Sequence, residues 1–293
     1  MPVFSRLYTK QNMNIELFSL ILLGGAFCAG LLGALTGLGG GVVIIPLLTL
    51  GFGVDIRYAI GTALVTSIAT SSGAAAAYIR EGITNLRIGM FLEVATTSGA
   101  VAGALIAVYM PTNVIAVIFA CVLIFSAVMT VRKKNDHSDS AAPSDPLTQR
   151  LKLNSSYPNP QSKVSEPYRV RNVLGGYSLM TLAGVLSGLL GIGSGALKVL
   201  SMDMLMKIPF RVSTTTSNFM VGVTAASSAV IYFQRGYIDP GLAMPVVLGV
   251  LAGAFAGSRI LMRTRVDILR WIFSILISVL ALQMMYNGIN GRF

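Results

Sequence analysis

The chain contains itself twice at a fixed offset of 154 residues, and that echo restricts its fold more than any other feature. Gly37-Leu-Gly-Gly-Gly41 lies over Gly191-Ile-Gly-Ser-Gly195, glycine on glycine at three positions. Without a gap, Arg57 then falls on Arg211, Thr62 on Thr216, Thr70 on Thr224 and Tyr78 on Tyr232. Gly82, Gly99, Gly103 and Phe119 meet Gly236, Gly253, Gly257 and Phe273 in the same register. Duplicated apolar halves, each interrupted by glycines at the same place, are one way of building a ligand site at the middle of a membrane.

Composition points the same way. Of 293 residues, 54% are apolar and 11% charged, and the mean hydropathy is +0.73. A soluble domain carries roughly a quarter charged residues, so water cannot cover this chain. Runs such as Phe18 to Leu35 and Pro111 to Val131 are nearly charge-free at about the length of a bilayer core. The net charge of +11 sits in the loops, where membrane topology places basic residues, so the lipid bilayer and not nucleic acid is the implied partner. Cys28 and Cys121 lie inside apolar segments and imply no disulfide framework, and the single histidine, His137, lies in a polar stretch. No metal, cofactor or catalytic triad is called for, and the chain does not read as an enzyme. Arg6 and Lys10 precede an apolar run that is too long for a signal-peptide core, and its second-half equivalent is internal, so it reads as a first transmembrane helix.

The expected fold is an all-α polytopic membrane protein of two homologous halves. Backbone groups in lipid must pair within a segment or a closed barrel, and no period-2 alternation of barrel strands is present. The first transmembrane repeat spans 14–132, with apolar segments at about 15–36, 41–52, 58–79, 88–110 and 112–131. The second spans 169–289, with segments at about 172–190, 195–206, 212–234, 240–262 and 266–287. Between them, 133–168 is rich in Ser, Pro, Asn and charge and reads as a flexible polar linker without a core. The short segments 41–52 and 195–206 decide the topology, since about twelve residues reach only some 18 Å. If each completes a crossing, the halves are inverted, 5+5; if each is re-entrant, they are parallel, 4+4. Five crossings put Arg80, Arg87, the linker cations, Lys207, Arg211, Arg263 and Arg265 on one side, against Arg6, Lys10, Arg57, Arg235 and Arg292 on the other. That contrast weakens with four crossings, so the charge favours 5+5 with a cytoplasmic linker and both termini outside, in the plasma or inner membrane.

Three groups of residues bear on chemistry. Gly37, Gly39, Gly40 and Gly41, with Gly191, Gly193, Ser194 and Gly195, read as helix breaks. A break in the membrane frees N–H groups at the start of the next half-helix, and these attract an anion; the alternative is tight small-residue packing. Hydroxyls follow each break. Thr62, Thr66 and Thr70 share a helix face, flanked by Ser67 and Ser71, and the second half offers Ser213, Thr214, Thr215, Thr216, Ser217, Asn218, Thr224 and Ser227. Such neutral donors suit a weakly basic oxyanion or act as interhelical glue. Last come three charges within apolar segments: Lys198 as a cation for an anionic substrate, and Glu93 and Asp203 as carriers of a coupling proton. Asp203 and Lys207, at i and i+4, also fit a simple pair.

These residues carry a family resemblance. Gly37-Leu-Gly-Gly-Gly41-Val-Val-Ile-Ile-Pro46-Leu-Leu resembles the first signature of the TauE/SafE sulfite and organosulfonate exporters. Gly188-Leu-Leu-Gly-Ile-Gly-Ser-Gly-Ala-Leu-Lys198, with Thr214-Thr-Thr-Ser-Asn218-Phe-Met-Val-Gly-Val-Thr224-Ala-Ala, is similar to the second. The resemblance covers most of the chain outside the linker. It implies export of small sulfur-containing oxyanions such as sulfite or sulfonates, driven by ion gradients, with the glycine runs and the Thr–Ser–Asn segment at the site. Ser194 stands where the family commonly has glycine, and Ser201 where a proline often follows the Lys-Val pair. A small anion is thus the expected partner, moved by a transporter with alternating access. An anion channel, or an importer of another anion such as thiosulfate or a carboxylate, is the alternative.

Overall fold

The computed structural model describes residues 15–36, 41–80, 83–131, 146–151, 153–158, 165–261 and 266–291. Eleven helices and one strand pair make up these residues. The first half supplies α1 (Ile15–Thr36), the short α2 (Gly41–Pro46), α3 (Ile56–Arg80), α4 (Leu86–Tyr109) and α5 (Thr112–Val131). The second supplies α7 (Val173–Leu190), the short α8 (Gly195–Leu200), α9 (Phe210–Gln234), α10 (Pro240–Leu261) and α11 (Val266–Ile289). Between them lie α6 (Pro146–Arg150), β1 (Ser155–Pro158) and β2 (Ser165–Tyr168).

Each short helix widens into a π-helical turn, Leu47–Gly51 after α2 and Ser201–Leu205 after α8. Pro46 removes one amide in the first case, but Leu200 holds the equivalent place in the second and the π turn persists. Proline therefore does not cause it. The next loop closes alike in both halves, Val54 N on Leu48 O at 3.0 Å and Ile208 N on Met202 O at 2.9 Å. Ser201, at the place where a proline was expected, donates its hydroxyl to Gly176 O at 3.0 Å and ties the turn to α7.

The halves pack by exchanging helices. α1 runs along α10, with Leu23 and Phe27 carbonyls facing Gly249 and Gly253. α4 runs along α7 in the same parallel sense, Thr181 and Val185 carbonyls facing Gly99 and Gly103. Thr96 O faces Gly184, as Val250 O faces Gly30, so the contacts repeat at the 154-residue offset. A Cβ at Gly99 would fall on the Thr181 carbonyl oxygen, and only a missing side chain allows backbones this close.

Equivalent helices pair antiparallel. α3 starts where α9 ends: Arg57 Nη2 donates to Met110 O at 2.7 Å, and its guanidinium lies 5.6 Å from the Tyr237 ring centroid. At the other end of α3, Asn85 N donates to Thr216 Oγ1 near the start of α9 at 3.1 Å. α5 and α11 pair likewise, with Ser274 Oγ on Ala127 O and Gly288 against Asn113 and Val117. Phe18, Ile44, Ile60, Phe119 and Tyr232 belong to one buried cluster drawn from both halves. Leu20, Met90, Val94, Leu182, Phe233, Leu248 and Phe255 point outward and exposed. Leu86–Tyr109 and Val173–Leu190 are each long and apolar enough to cross a membrane. Apolar side chains inside and outside alike suit lipid as the surrounding solvent.

The linker departs from the expectation of a flexible, coreless loop over its described residues. β1 and β2 pair antiparallel, Ser155 opposite Tyr168 and Pro158 opposite Ser165. Tyr157 donates to Glu166 across the strands at 3.1 Å, and Asn154 and Thr148 hold Val170 N and O. Leu153, Tyr157, Tyr168 and Val170 bury against Ile88, Leu92, Met202 and Met206. A few apolar side chains in a polar stretch are enough, because the helix ends provide the rest of the core.

Candidate functional site

The second glycine run is a tight reversal. Gly191, at φ 68°, closes α7 by donating its N–H to Ser187 O, and Gly193 follows at φ 67°. Ser194 takes φ 44°, a left-handed conformation uncommon for a residue with a Cβ, and α8 begins at Gly195. Ser217 Oγ from α9 donates to Gly195 O at 3.2 Å and pins the start of α8. A Cβ at Gly193 would meet Val221 Cγ1 at 2.7 Å, so both backbone and space select glycine there.

The start of α2 adjoins this second break. A Cβ on Gly41, the first residue of α2, would lie 3.5 Å from Gly191 O and 3.0 Å from Ser67 Oγ. Beside this junction is a cleft lined by Val42, Val122, Ser126, Ile192, Ser194, Gly195 and Leu197, with about 10 Å³ of room for the centres of water-sized molecules. That is space for about one water. Ser194 Oγ is buried with no hydrogen-bond partner among the described residues, as are Thr62 Oγ1 and Ser187 Oγ. Buried hydroxyls without partners are costly.

On another side of α8 lies a charged group. Lys198 is fully buried, and its ammonium donates to Thr224 Oγ1 at 2.5 Å. Thr224 in turn donates to Glu93 Oε1 at 2.7 Å or to Met220 O at 2.8 Å. Thr97 also donates to Glu93 Oε1, at 2.9 Å. Glu93 Oε2 is buried and has no hydrogen-bond partner among the described residues.

Gly41, Gly191, Ser194, Gly195 and Ser217 thus meet at one junction, with Gly193 packed behind it. Gly37, Gly39 and Gly40 lie outside the described residues. Thr62 is buried on α3, whereas Thr66 bonds Ala63 O and Thr215 bonds Arg211 O and Val212 O on their own helices. Thr216 serves the α3–α4 corner, and Asn218 offers its carbonyl to Ser71. Lys198 does not line the cleft but joins Glu93 through Thr224, and Asp203 sits half-buried in the π turn beyond. Sequence reading missed Thr97 and Ser126. The i, i+4 spacing of Glu93 and Thr97 was a usable signal, but nothing marked Ser126.

Outside this site, where Tyr168 receives the Asn85 amide at 2.6 Å, burial pushes its phenol above the ordinary value.

Comparison with known proteins adds identity. The chain is 27% identical over 279 residues to the "Probable membrane transporter protein YunE" of Bacillus subtilis (strain 168), covering 92% of this chain and 97% of that one. It is 27% identical over 233 residues to the "Probable membrane transporter protein YdhB" of the same organism, covering 80% and 86%. The "Probable membrane transporter protein ORF9" of a Sinorhizobium species shares 23% over 275 residues, covering 94% and 95%. No solved structure matches. The family described as sulfite exporter TauE/SafE matches residues 22–284, which span both glycine breaks and every pair of exchanged helices, and the chain belongs to that family.

Proposed function

We infer that this protein is a multi-pass secondary transporter of the plasma or inner membrane that exports small sulfur-containing oxyanions such as sulfite or sulfonates. The observation that carries the reading is the start of α2 set against the second break: a Cβ on Gly41 would lie 3.5 Å from Gly191 O, beside the Ser194 hydroxyl, which has no partner among the described residues. Each short helix continues through its π turn, so the N–H groups at its start have a helical dipole behind them, and together they suit an anionic head group. The substrate class rests on the family and on the neutral donors, which meet an oxyanion without burying a further charge.

The repeats are read as inverted, 5+5, spanning 14–132 and 169–289, with the linker 133–168 cytoplasmic. Antiparallel pairing of α3 with α9 and of α5 with α11 supports this, because equivalent helices of parallel repeats would run the same way. The one-water cleft supports alternating access over an open channel, since an oxyanion needs the junction to part before it can enter.

Proteoliposomes holding the full chain test the reading with sulfite, thiosulfate and methanesulfonate. The wild type should take up at least one of them, and Gly193→Leu should abolish that uptake, as its side chain collides with Val221 at a left-handed backbone position. Uptake untouched by that substitution would count against the junction as the site.

A further inference from the structure

We propose that Glu93, Thr224 and Lys198 form a proton-linked charge switch, in which a proton on Glu93 Oε2 frees the Lys198 charge to favour a singly charged oxyanion in the neighbouring cleft. This deepens the transport reading and rests on it. With Glu93 ionised, the ammonium and carboxylate cancel through one hydroxyl, at most about 5 Å apart by their two contacts laid end to end. Both groups are buried, so neither charge is screened by water.

Glu93 Oε2 is where the balance can change. It is the unpartnered oxygen of the carboxylate, while Oε1 already accepts from Thr97 and Thr224. A proton arriving from water bonds to an Oε2 lone pair and no other bond breaks. The carboxyl becomes neutral, and the Thr224 hydroxyl, which has one proton to donate, can turn to Met220 O instead. Lys198 is then an uncompensated cation inside the membrane, an expensive state that a nearby anion relieves. Ser194 and Gly195, on the cleft, lie within about a turn of Lys198 on the same short helix. Across a helix width of about 10 Å, a unit charge at an effective dielectric of about 20 changes anion affinity by roughly tenfold or somewhat more.

Among the described residues of α4, α7, α8 and α9, no other titratable group is placed to take over this role. Arg87 and Tyr109 lie at the ends of α4, Arg211 lies at the start of α9, and Tyr232 bonds Leu189 O near its end. Tyr177 of α7 has its ring on Phe91, and Asp203 is more than a turn beyond Lys198. The switch belongs to one side only. The echo positions of Lys198, Glu93 and Thr97 are Ile44, Val247 and Leu251, and only Thr224 has a hydroxyl counterpart, Thr70.

Anion and proton therefore move together, and a pH difference acting alone drives the pair toward the alkaline compartment. Export into a more acidic exterior proceeds only when the outward anion gradient exceeds about tenfold per unit of pH difference.

The full chain in proteoliposomes tests this with methanesulfonate, a monoanion that takes up no proton near neutral pH. Wild type should show counterflow at equal pH, about tenfold accumulation per pH unit in alkaline-lumen vesicles, and proton uptake on anion binding in weak buffer. Glu93→Gln, which mimics the protonated acid, should show counterflow that no longer responds to pH and no gradient-driven accumulation. Thr224→Val should narrow the pH response. Accumulation surviving in Glu93→Gln, or wild-type binding without proton uptake, overturns the switch while leaving transport standing. A wild type that moves none of methanesulfonate, thiosulfate and sulfite overturns the transport reading and the switch with it. Should Glu93→Gln fail to fold, proton uptake by the wild type decides.

Discussion

Adding one methyl group to Gly99 or to Gly253 tests the packing that joins the halves. The two positions are equivalent at the 154-residue offset, and each faces a carbonyl oxygen on the exchanged helix, Thr181 O and Phe27 O. A carbon approaches a carbonyl oxygen at about 3.3–3.6 Å, so Ala at either position forces its pair of helices apart by about 1 Å. Overpacking of this kind costs about 1–3 kcal/mol, against which Ala recovers up to about 1 kcal/mol of helix propensity. The net loss, about 1–2 kcal/mol, corresponds to a fall in Tm of roughly 2–4 °C for a chain of this size. Gly24→Ala is the control. Gly24 lies on the exposed side of α1 with nothing within 4 Å of a new Cβ, so the propensity gain stands alone and Tm should hold or rise. Thermal unfolding of the purified variants in detergent measures all three. Gly99→Ala destabilising while Gly253→Ala is silent, or Gly24→Ala costing as much as either, would refute the reasoning.

Other perturbations separate further contributions. Gly236→Ala should cost about 1–2 kcal/mol from its positive φ alone, since nothing lies near its Cβ, whereas Gly193→Ala adds the Val221 collision and should cost more in the same unfolding assay. Asn85→Ala removes the cap of α4 and the amide bond to Tyr168 together, so it should lower stability by about 1–2 kcal/mol and quicken proteolysis in the 146–170 region. Because burial raises the Tyr168 phenol, its contribution is intact below about pH 10, the unfolded value, and is lost as pH rises through the higher folded value. An absorbance titration of wild type minus Tyr168→Phe should show a phenol ionising later than free tyrosine.

The parts of the fold legible in the sequence are those that composition and glycine mark. Gly99 and Gly253 stood out in the echo because a missing side chain is a residue type, and here it is the contact itself, while Gly30 and Gly184, which make the same contact, went unmarked. The echo alone could not tell which helix each glycine faces, because partner carbonyls exist at every residue. The hairpin was illegible for a related reason: Tyr157 and Tyr168 look like strays in a polar stretch until the helix ends that bury them are in place. At the candidate site, Ser194 and Gly195 were readable as a break. The orientation of Lys198 was not, since a lysine three residues into α8 can follow either face and only the position of Thr224 on α9 decides. Helical spacing was a usable clue for Thr97, whereas Ser126 comes from a helix with no marker at all.

The exchange of helices has a consequence for how the chain is made. Gly30 emerges early, but the carbonyl it packs against belongs to Val250, roughly 220 residues later. At about 5–20 residues per second, α1 waits roughly ten to forty seconds in the bilayer with its bare face turned to lipid or to an interim neighbour. α4 waits a shorter time for α7. Neither half can finish its own interior, so assembly completes only after the last helices leave the ribosome, and a truncated first half would present that unsatisfied face to the quality-control machinery of the membrane.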